Sequence, residues 1–529
     1  MSARIVECDV CIIGSGISAA MVAERLVREG KSNIVVLEAG AEQPGPLEFA
    51  RLRQRNLDYG ESPWPTDHID GMFVEGMQSP SMCVGGMAMH WGGVTPRFSP
   101  EDFRQRSACG VGTDWPISYE ELDPFYQEAE ELIGIGGEQG PAELDPRGKP
   151  FPMPALPLNY NLLQYREWAA KAGIPMWSQP SAKLTVSRPD DGRASCCRSD
   201  TCDPICPTGA KYSPDMTWRR LRTAGHLTLQ ANTMVRRLHT APGSERIERA
   251  VAVTGGQELE YRAKTFVVAA GYLWSSYLLL LSADARHPQG IANSSGLVGK
   301  YITGHRNVSA RIALPIRLFP GMQEQHSLVT KFFMRKPRTD KYLRHDLRIW
   351  EDTVGRLPRL RDDAGKLLMG DALLADWRAR TDTESTARVR GYYDVIPAKN
   401  SELTLDAARR TPFGDPLPRL ALRDDPVSAE LRGYSEQRLA ELFADMARAG
   451  NGRVIASATD SFQDHPGGGC RMGKDPASSV VDRHGRSHDH ENLFVVGAPT
   501  LVSSGCANGT LTFSALSLMA AAEIARGLG

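Results

Sequence analysis

The chain has no excess of charge of either sign. Lys and Arg total 62 against 63 Asp and Glu, a formal net charge of −1 over 529 residues. That balance excludes the basic footprint of a nucleic-acid partner or of an anionic membrane surface. Aromatic residues are sparse, at 7%. No apolar run reaches the roughly 18 residues a membrane span needs. The first apolar run, Val10–Gly14, is too short for a signal-peptide core. The expectation is therefore a chain with no export signal of its own. It is either cytoplasmic or carried folded to the periplasm by a partner that bears the signal. Cysteine is too scarce for a disulfide scaffold, at ten in the whole chain. Internal repeats and low-complexity tracts are lacking as well. Hydrophobic residues at 41% and charged residues at 24% are ordinary for a globular protein. The 50 glycines and 35 prolines point to many turns and long ordered loops.

The N-terminal segment reads strand, turn, helix, strand. Val6–Ile13 is β-rich, Ala20–Glu29 has helical spacing, and Ile34–Leu37 is a second strand ending at Glu38. Gly14-x-Gly16-x-x-Ala19 sits at the turn. Gly14 permits the tight bend, and Gly16 lets backbone N–H groups approach a pyrophosphate. Ala19 keeps helix and strand close in place of a third glycine. The helix N-terminus favours the phosphate charge. Glu38 stands where a carboxylate accepts ribose hydroxyls, which argues against a 2′-phosphate but does not choose between NAD and FAD.

Residues 41–100 are rich in Gly, Pro and Met, with little periodicity. A helix is expected over Tyr119–Ile135, and extended chain over 137–160. Short strands run from Leu227 to Gly271, followed by a helix from Ser275 to Ser282. Residues 310–450 mix strands (Ser309–Leu314, Gly391–Val395) with the charged helix Ser428–Ala449. A strand, Leu493–Val496, and a helix, Leu511–Arg526, close the chain.

Four of the ten cysteines, Cys196, Cys197, Cys202 and Cys206, fall within eleven residues. Thiolates at short loop spacing suit an iron–sulfur cluster. They also suit structural zinc, and a disulfide pair is the plainest reading. Adjacent Cys196 and Cys197 diverge, so three of the four are expected to converge. Three thiolates suit a three-iron cluster better than a four-iron one. Met216 and Tyr212 nearby read as packing residues. The polar, histidine-rich stretch with His484, His488 and His490 reads instead as a solvated turn.

Several segments in order carry a resemblance to one family. They are the Gly14 turn, Val84-Gly-Gly-Met-Ala-Met-His90-Trp91, Asn293–Gly304, His465-Pro-Gly-Gly-Gly-Cys-Arg-Met-Gly473, Asn492-Leu-Phe-Val-Val-Gly497 and Ala507-Asn508-Gly-Thr-Leu-Thr512. Together they resemble the glucose–methanol–choline (GMC) oxidoreductases, FAD enzymes that oxidise alcohols. Gly85–Trp91 with Thr95-Pro-Arg-Phe98 looks like pyranose oxidases. Gly112-Thr-Asp-Trp-Pro-Ile117 with the cysteine loop looks like the catalytic subunits of bacterial FAD-dependent glucose dehydrogenase and glucoside 3-dehydrogenase. The second likeness covers more sequence.

The resemblance implies an α/β fold, a Rossmann-type FAD-binding domain with an α+β substrate domain. The FAD-binding domain would comprise residues 1–110, 213–308 and 456–529. Residues 111–212 would be a linker region holding the cysteine loop, and 309–455 the substrate domain. His465 would be the general base. Asn508, 43 residues later, would hydrogen-bond the same substrate hydroxyl. Gly14, Gly16, Ala19, Glu38, Gly86, His90, Val235, Ala270, Gly497, Asn508 and Thr510 would hold FAD. His90 either carries a covalent histidyl link to the flavin, as in pyranose oxidases, or packs beside Trp91. The cysteines would hold a 3Fe-4S cluster. The reaction would oxidise a pyranose hydroxyl, at C1 of glucose or C3 of a glucoside. Electrons would pass to a haem or quinone acceptor, and a small signal-bearing subunit would escort the chain. An oxygen-using pyranose oxidase is the alternative. Trp350, Tyr392 and Tyr393 are candidates for a sugar-stacking platform. Two departures stand out, Gly509 where the family has proline and Gly469-Cys470 where it has Gly-Thr.

Overall fold

The structure is a computed structural model. It describes residues 4–64, 67–76, 81–199, 202, 205–319, 326–335, 341–352, 359–362, 364–381, 385–460 and 464–529. Two seven-stranded sheets dominate it. In the first, Leu227–Gln230, Ile34–Leu37, Arg4–Ile13 and Gln257–Val268 lie side by side and parallel. Leu493–Val495 joins the far end of Gln257–Val268, also parallel. An antiparallel pair, Ile247–Thr254 and Thr233–Thr240, completes the sheet. The parallel strands are covered on both faces, as their near-continuous Val/Ile/Leu runs require. Helices Ile17–Arg28 and Thr510–Gly527 pack together against this sheet.

The second sheet is antiparallel. Its order is Arg453–Thr459, Lys300–Leu314, Ser385–Tyr393, Leu347–Glu351, Leu328–Thr330, Trp177–Ser178. One face carries Leu347, Ile349, Ala387 and Val389 into a core closed by helices Pro426–Ala449 and Tyr160–Lys171. The other carries the alternating residues Asp346, Arg348, Trp350, Arg388, Arg390 and Tyr392, because side chains alternate along a strand. The strand Asp464–Gly469 pairs with the start of Lys300–Leu314 and ties the two halves together. Its three glycines permit that approach. A Cβ at Gly468 would stand 2.3 Å from the Tyr301 carbonyl oxygen, and the backbone there has φ +85°.

Local differences from the sequence reading have simple causes. Among the described residues the 41–100 stretch holds one α-helix, Pro46–Tyr59, begun by a proline in its first turn and ended at left-handed Gly60. Its periodicity is faint because it buries only Phe49 and Leu52. His490 is not in a solvated turn. It is fully buried, accepts from the Ala292 N–H at Nε2 (3.1 Å) and meets the Glu245 carbonyl at Nδ1 (2.5 Å). Polar flanking residues hid this brace. Among the described residues no helix is long and apolar enough to cross a membrane.

Candidate active site

One cavity of about 490 Å³ runs from the Gly14 turn to His465. Gly14, Gly16, Glu38 and Gly86 line one end of it. His90, Val235, Ala270 and Thr510 also line it, as does His465 with its neighbours Asp464 and Pro466. Its size is ordinary for a cofactor or ligand site. Three expected residues stand just behind the wall. Ala19 is wholly buried in the helix that follows the turn. Gly497 precedes the lining residue Ala498, and a Cβ on it would strike the Ser18 hydroxyl at 2.4 Å. Asn508 reaches the site through His465.

At the turn, Gly14 has φ +98°, and a Cβ there would lie 2.7 Å from the Ala269 carbonyl oxygen. Gly16 has φ −65°, and a Cβ on it would meet nothing within 4 Å, so its missing side chain keeps open space rather than protein contact. Glu38 is fixed by the turn it serves. Its Oε2 accepts from the Ser15 N–H (3.0 Å) and hydroxyl (2.6 Å), and its Oε1 from the Gly40 N–H (2.9 Å). Burial raises its pKa, partly offset by those donors. The Trp218 indole donates to the Ser15 carbonyl (2.7 Å) and locks the bend from outside.

The other end is a chain of polar contacts centred on His465. Arg348 donates to Asn508 Oδ1, so the Asn508 amide N–H₂ faces His465 Nε2 at 2.7 Å. His465 Nε2 is therefore an acceptor, and the ring proton lies on Nδ1, donated to His305 Nε2 at 2.9 Å. His305 is fully buried, and its own Nδ1 has no hydrogen-bond partner among the described residues. The Asp464 carboxylate accepts from the His465 N–H (3.0 Å) and, at its other oxygen, from the Tyr392 hydroxyl. Asp346 accepts from Arg348 Nε (3.0 Å) and the Tyr392 N–H (2.7 Å). The His465 backbone has φ +48°, a left-handed turn that aims the ring into the cavity. Enclosure away from bulk water lowers the His465 pKa to about 4. Asp464 opposes this, and Arg390 and Arg348 add to it. The arrangement is a neutral imidazole held in one tautomer, its Nε2 lone pair facing the Asn508 amide donor. It can take a proton from a hydroxyl while the amide steadies the oxygen.

His90 follows the short helix Gly86–Met89. Its ring lies 4.3 Å from that of Trp64, and its Nε2 is 3.2 Å from Asp67. The Trp91 indole donates to the Tyr212 carbonyl at 2.8 Å. All ten cysteines are free. Cys196 and Cys206 pack with Met153, Leu184 and Ala210, and Cys202 is buried, whereas Cys197 is exposed. Backbone N–H groups reach the sulfurs of Cys196 (from Arg198, 3.4 Å) and Cys206 (from Lys211, 3.5 Å). Burial raises the Cys202 thiol, against the charges of Lys183 and Lys211. At Cys206 burial is outweighed by hydrogen bonds from Lys211 and Thr208, and the thiol falls below its usual range. Among the described residues no three cysteine sulfurs come within 4.8 Å of one another. Tetrahedral zinc would hold them about 3.8 Å apart.

Residues 397–517 match the family described as GMC oxidoreductase. Over 554 aligned residues the chain is 33% identical to the fructose dehydrogenase large subunit of Gluconobacter japonicus, covering 99% of both chains. This protein belongs to the GMC oxidoreductase family. It is also 30% identical to 2-methyl-1,2-propanediol dehydrogenase of Mycolicibacterium austroafricanum, over 98% of this chain and 95% of that one. The crystal structure of pyridoxine 4-oxidase from Mesorbium loti superposes with a TM-score of 0.62 at 18% identity. It covers 98% of this chain and 99% of the other, and shows the shared fold.

As a GMC oxidoreductase the protein is a FAD-dependent enzyme acting on CH–OH groups, and its cavity fits that cofactor. The Gly14 bend admits no side chain, Gly16 leaves open space, and Glu38 is pinned beside the turn, where it would meet the ribose. The two departures from the family pattern are absorbed locally. Gly509 has φ −78°, a value proline would hold, so the helix start is unchanged. Cys470 is fully buried against the Ser276 hydroxyl at 3.6 Å and acts as a small core residue. Sequence reasoning missed His305, Asp346, Arg348 and Asp464. His305 directly follows the Asn293–Gly304 segment, and the polar–apolar alternation of Asp346–Glu351 marks a strand. Neither signal says that these side chains point at His465.

A pH prediction follows from the base. His465 must be neutral to accept a proton, so the rate of flavin reduction holds level down to about pH 5 and falls as pH drops through about 4. The unfolded chain takes up this proton near the ordinary value of 6.5, before the folded one does. The contribution of His465 to stability is therefore full above 6.5 and is lost as pH falls from 6.5 to 4. Single-turnover reduction and thermal melts across pH 3.5–7.5 check both statements. A rate midpoint near 6.5 contradicts them.

Proposed function

We propose that the protein is a sugar dehydrogenase that oxidises a pyranose hydroxyl, at C1 of glucose or C3 of a glucoside. The observation that carries this is His465 Nε2, unprotonated and paired with Asn508 at the cavity wall. The 33% likeness to a fructose dehydrogenase large subunit supports a sugar as donor. The hydroxyl proton goes to His465 Nε2, and Asn508 donates to the oxygen left behind. FAD, when bound, would supply the acceptor for the hydrogen and electron pair of the same carbon, which leaves C=O. Arg348 holds the Asn508 amide in the donating orientation throughout.

The cysteine loop is read as the ligand set of a 3Fe-4S cluster, through Cys196, Cys202 and Cys206. Cys197 faces solvent, which leaves three. Backbone N–H donors aimed at two of the sulfurs support bound thiolates there. Such a cluster passes single electrons onward, here to a haem or quinone acceptor. The words "large subunit" on the fructose dehydrogenase relative support a smaller partner, and export with that partner belongs to the same reading. His90 lines the cavity, which supports reading it as the residue of a covalent flavin link.

Iron, zinc and flavin content of anaerobically purified protein, with an EPR spectrum, tests this reading. Near three irons per flavin is expected, and Cys206→Ser is expected to lose the iron while keeping the flavin. Flavin without iron, together with peroxide formation during turnover, would make the enzyme an oxidase.

A further inference from the structure

The polar face of the second sheet leads outward from the catalytic pair in cross-strand rows. Asn307, Tyr392 and Asp346 lie nearest His305. The next row is Ser309, Arg390 and Arg348, and the one beyond is Arg311, Arg388 and Trp350. The two aromatic rings expected to stack a sugar are not bare. The Arg390 guanidinium lies 3.8 Å over Tyr392 and 5.1 Å from Trp350, while Arg388 stands 5.3 Å from Trp350. Tyr393 points the other way, into the core. This wall presents guanidinium groups rather than bare ring faces.

The charges around it are accounted for, with two exceptions, the exposed Arg388 and the half-buried Arg390. Arg348 is paired with Asp346 and Asn508, and Arg311 with Asp352. The oxygens of Asp346 are taken by Arg348 and the Tyr392 N–H, and those of Asp464 by Tyr392 and the His465 N–H. Arg390, half-buried, makes no hydrogen bond or ion pair among the described residues, and its Nε is buried without a partner. Leaving such a donor unpaired is costly, and a planar guanidinium fork matches the two oxygens of a carboxylate. Arg390 is one ring away from His465, across Tyr392.

We propose that Arg390 is a specificity-determining residue that binds a carboxylate, so that the preferred substrate is a uronic acid or uronide. The C6 carboxylate would lie on Arg390 and the oxidised ring hydroxyl at His465 and Asn508. This rests on the pyranose reading above and narrows it. Rapid anaerobic mixing of oxidised holoenzyme with methyl glucuronide and with methyl glucoside, which differ only at C6, gives dissociation constants from the fast flavin absorbance change that precedes bleaching. The glucuronide is expected to bind roughly 10- to 100-fold more tightly. Arg390→Gln removes that preference without weakening the glucoside, and Arg390→Lys keeps part of it. Equal or tighter binding of the glucoside by the native enzyme overturns the proposal. So does equal weakening of both ligands in Arg390→Gln, or no flavin response to the glucuronide. Binding of the glucuronide without bleaching of the flavin would instead sink the pyranose-oxidation reading and leave the Arg390 site standing.

Discussion

Replacing His465 by alanine lowers the rate of flavin reduction by sugar ~10²–10⁴-fold, the span expected for loss of a general base. Among the described residues no other group is placed to take over. His305 contacts His465 from the far side and is fully buried. Asp464 has both oxygens occupied, and Asn508 does not titrate. The backbone at 465 is already left-handed with a β-carbon in place, so alanine adds little strain there. The variant should fold, keep its flavin and be reduced normally by dithionite. That last control separates loss of the base from loss of the cofactor. Stopped-flow absorbance of the flavin band reads the rate, and a drop of less than tenfold would remove His465 from the proton transfer.

Gly14→Val abolishes flavin binding, and Gly16→Ala weakens it without touching the fold. The two glycines are two residues apart and do different physical work. At Gly14 a side chain would strike the Ala269 carbonyl oxygen at 2.7 Å, on a backbone at φ +98° that a β-branched residue does not adopt. Strain of this kind costs ~1–3 kcal/mol before the clash is added. Gly14→Val should therefore purify colourless and melt at lower temperature. At Gly16 the backbone is ordinary and the space is empty of protein. Gly16→Ala should melt like the native apoprotein yet lose flavin on dilution. Equal destabilisation by both changes would contradict this division.

The nucleotide end of the site was legible in the sequence because it is local. Gly14, Gly16, Ala19 and Glu38 belong to one strand–turn–helix–strand unit, and the structure builds that unit over Arg4–Leu37. The His465 and Asn508 pair was legible only through the family resemblance, since nothing local joins residues that far apart. The supporting shell was not legible. His305, Asp346, Arg348 and Tyr392 converge because three strands meet in one register. A single sequence shows that a strand alternates but not what its polar face meets. The aromatic platform failed for the same reason. Trp350 and Tyr392 are where a sugar could stack, but cross-strand arginines cover them. His490 failed through its flanks, because Asp489 and Glu491 are polar while the ring between them is sealed by backbone partners.

The central claim is that a hydroxyl-bearing carbon gives up its hydrogen in this cavity while His465 takes the hydroxyl proton. The most direct test is anaerobic single-turnover mixing of the holoenzyme with glucose deuterated at C1 and with a glucoside deuterated at C3. The flavin band should bleach, and it should bleach more slowly for whichever deuterated position is the one oxidised. Bleaching at the same rate as the unlabelled sugars for both labels, or no bleaching by any pyranose, would contradict the account.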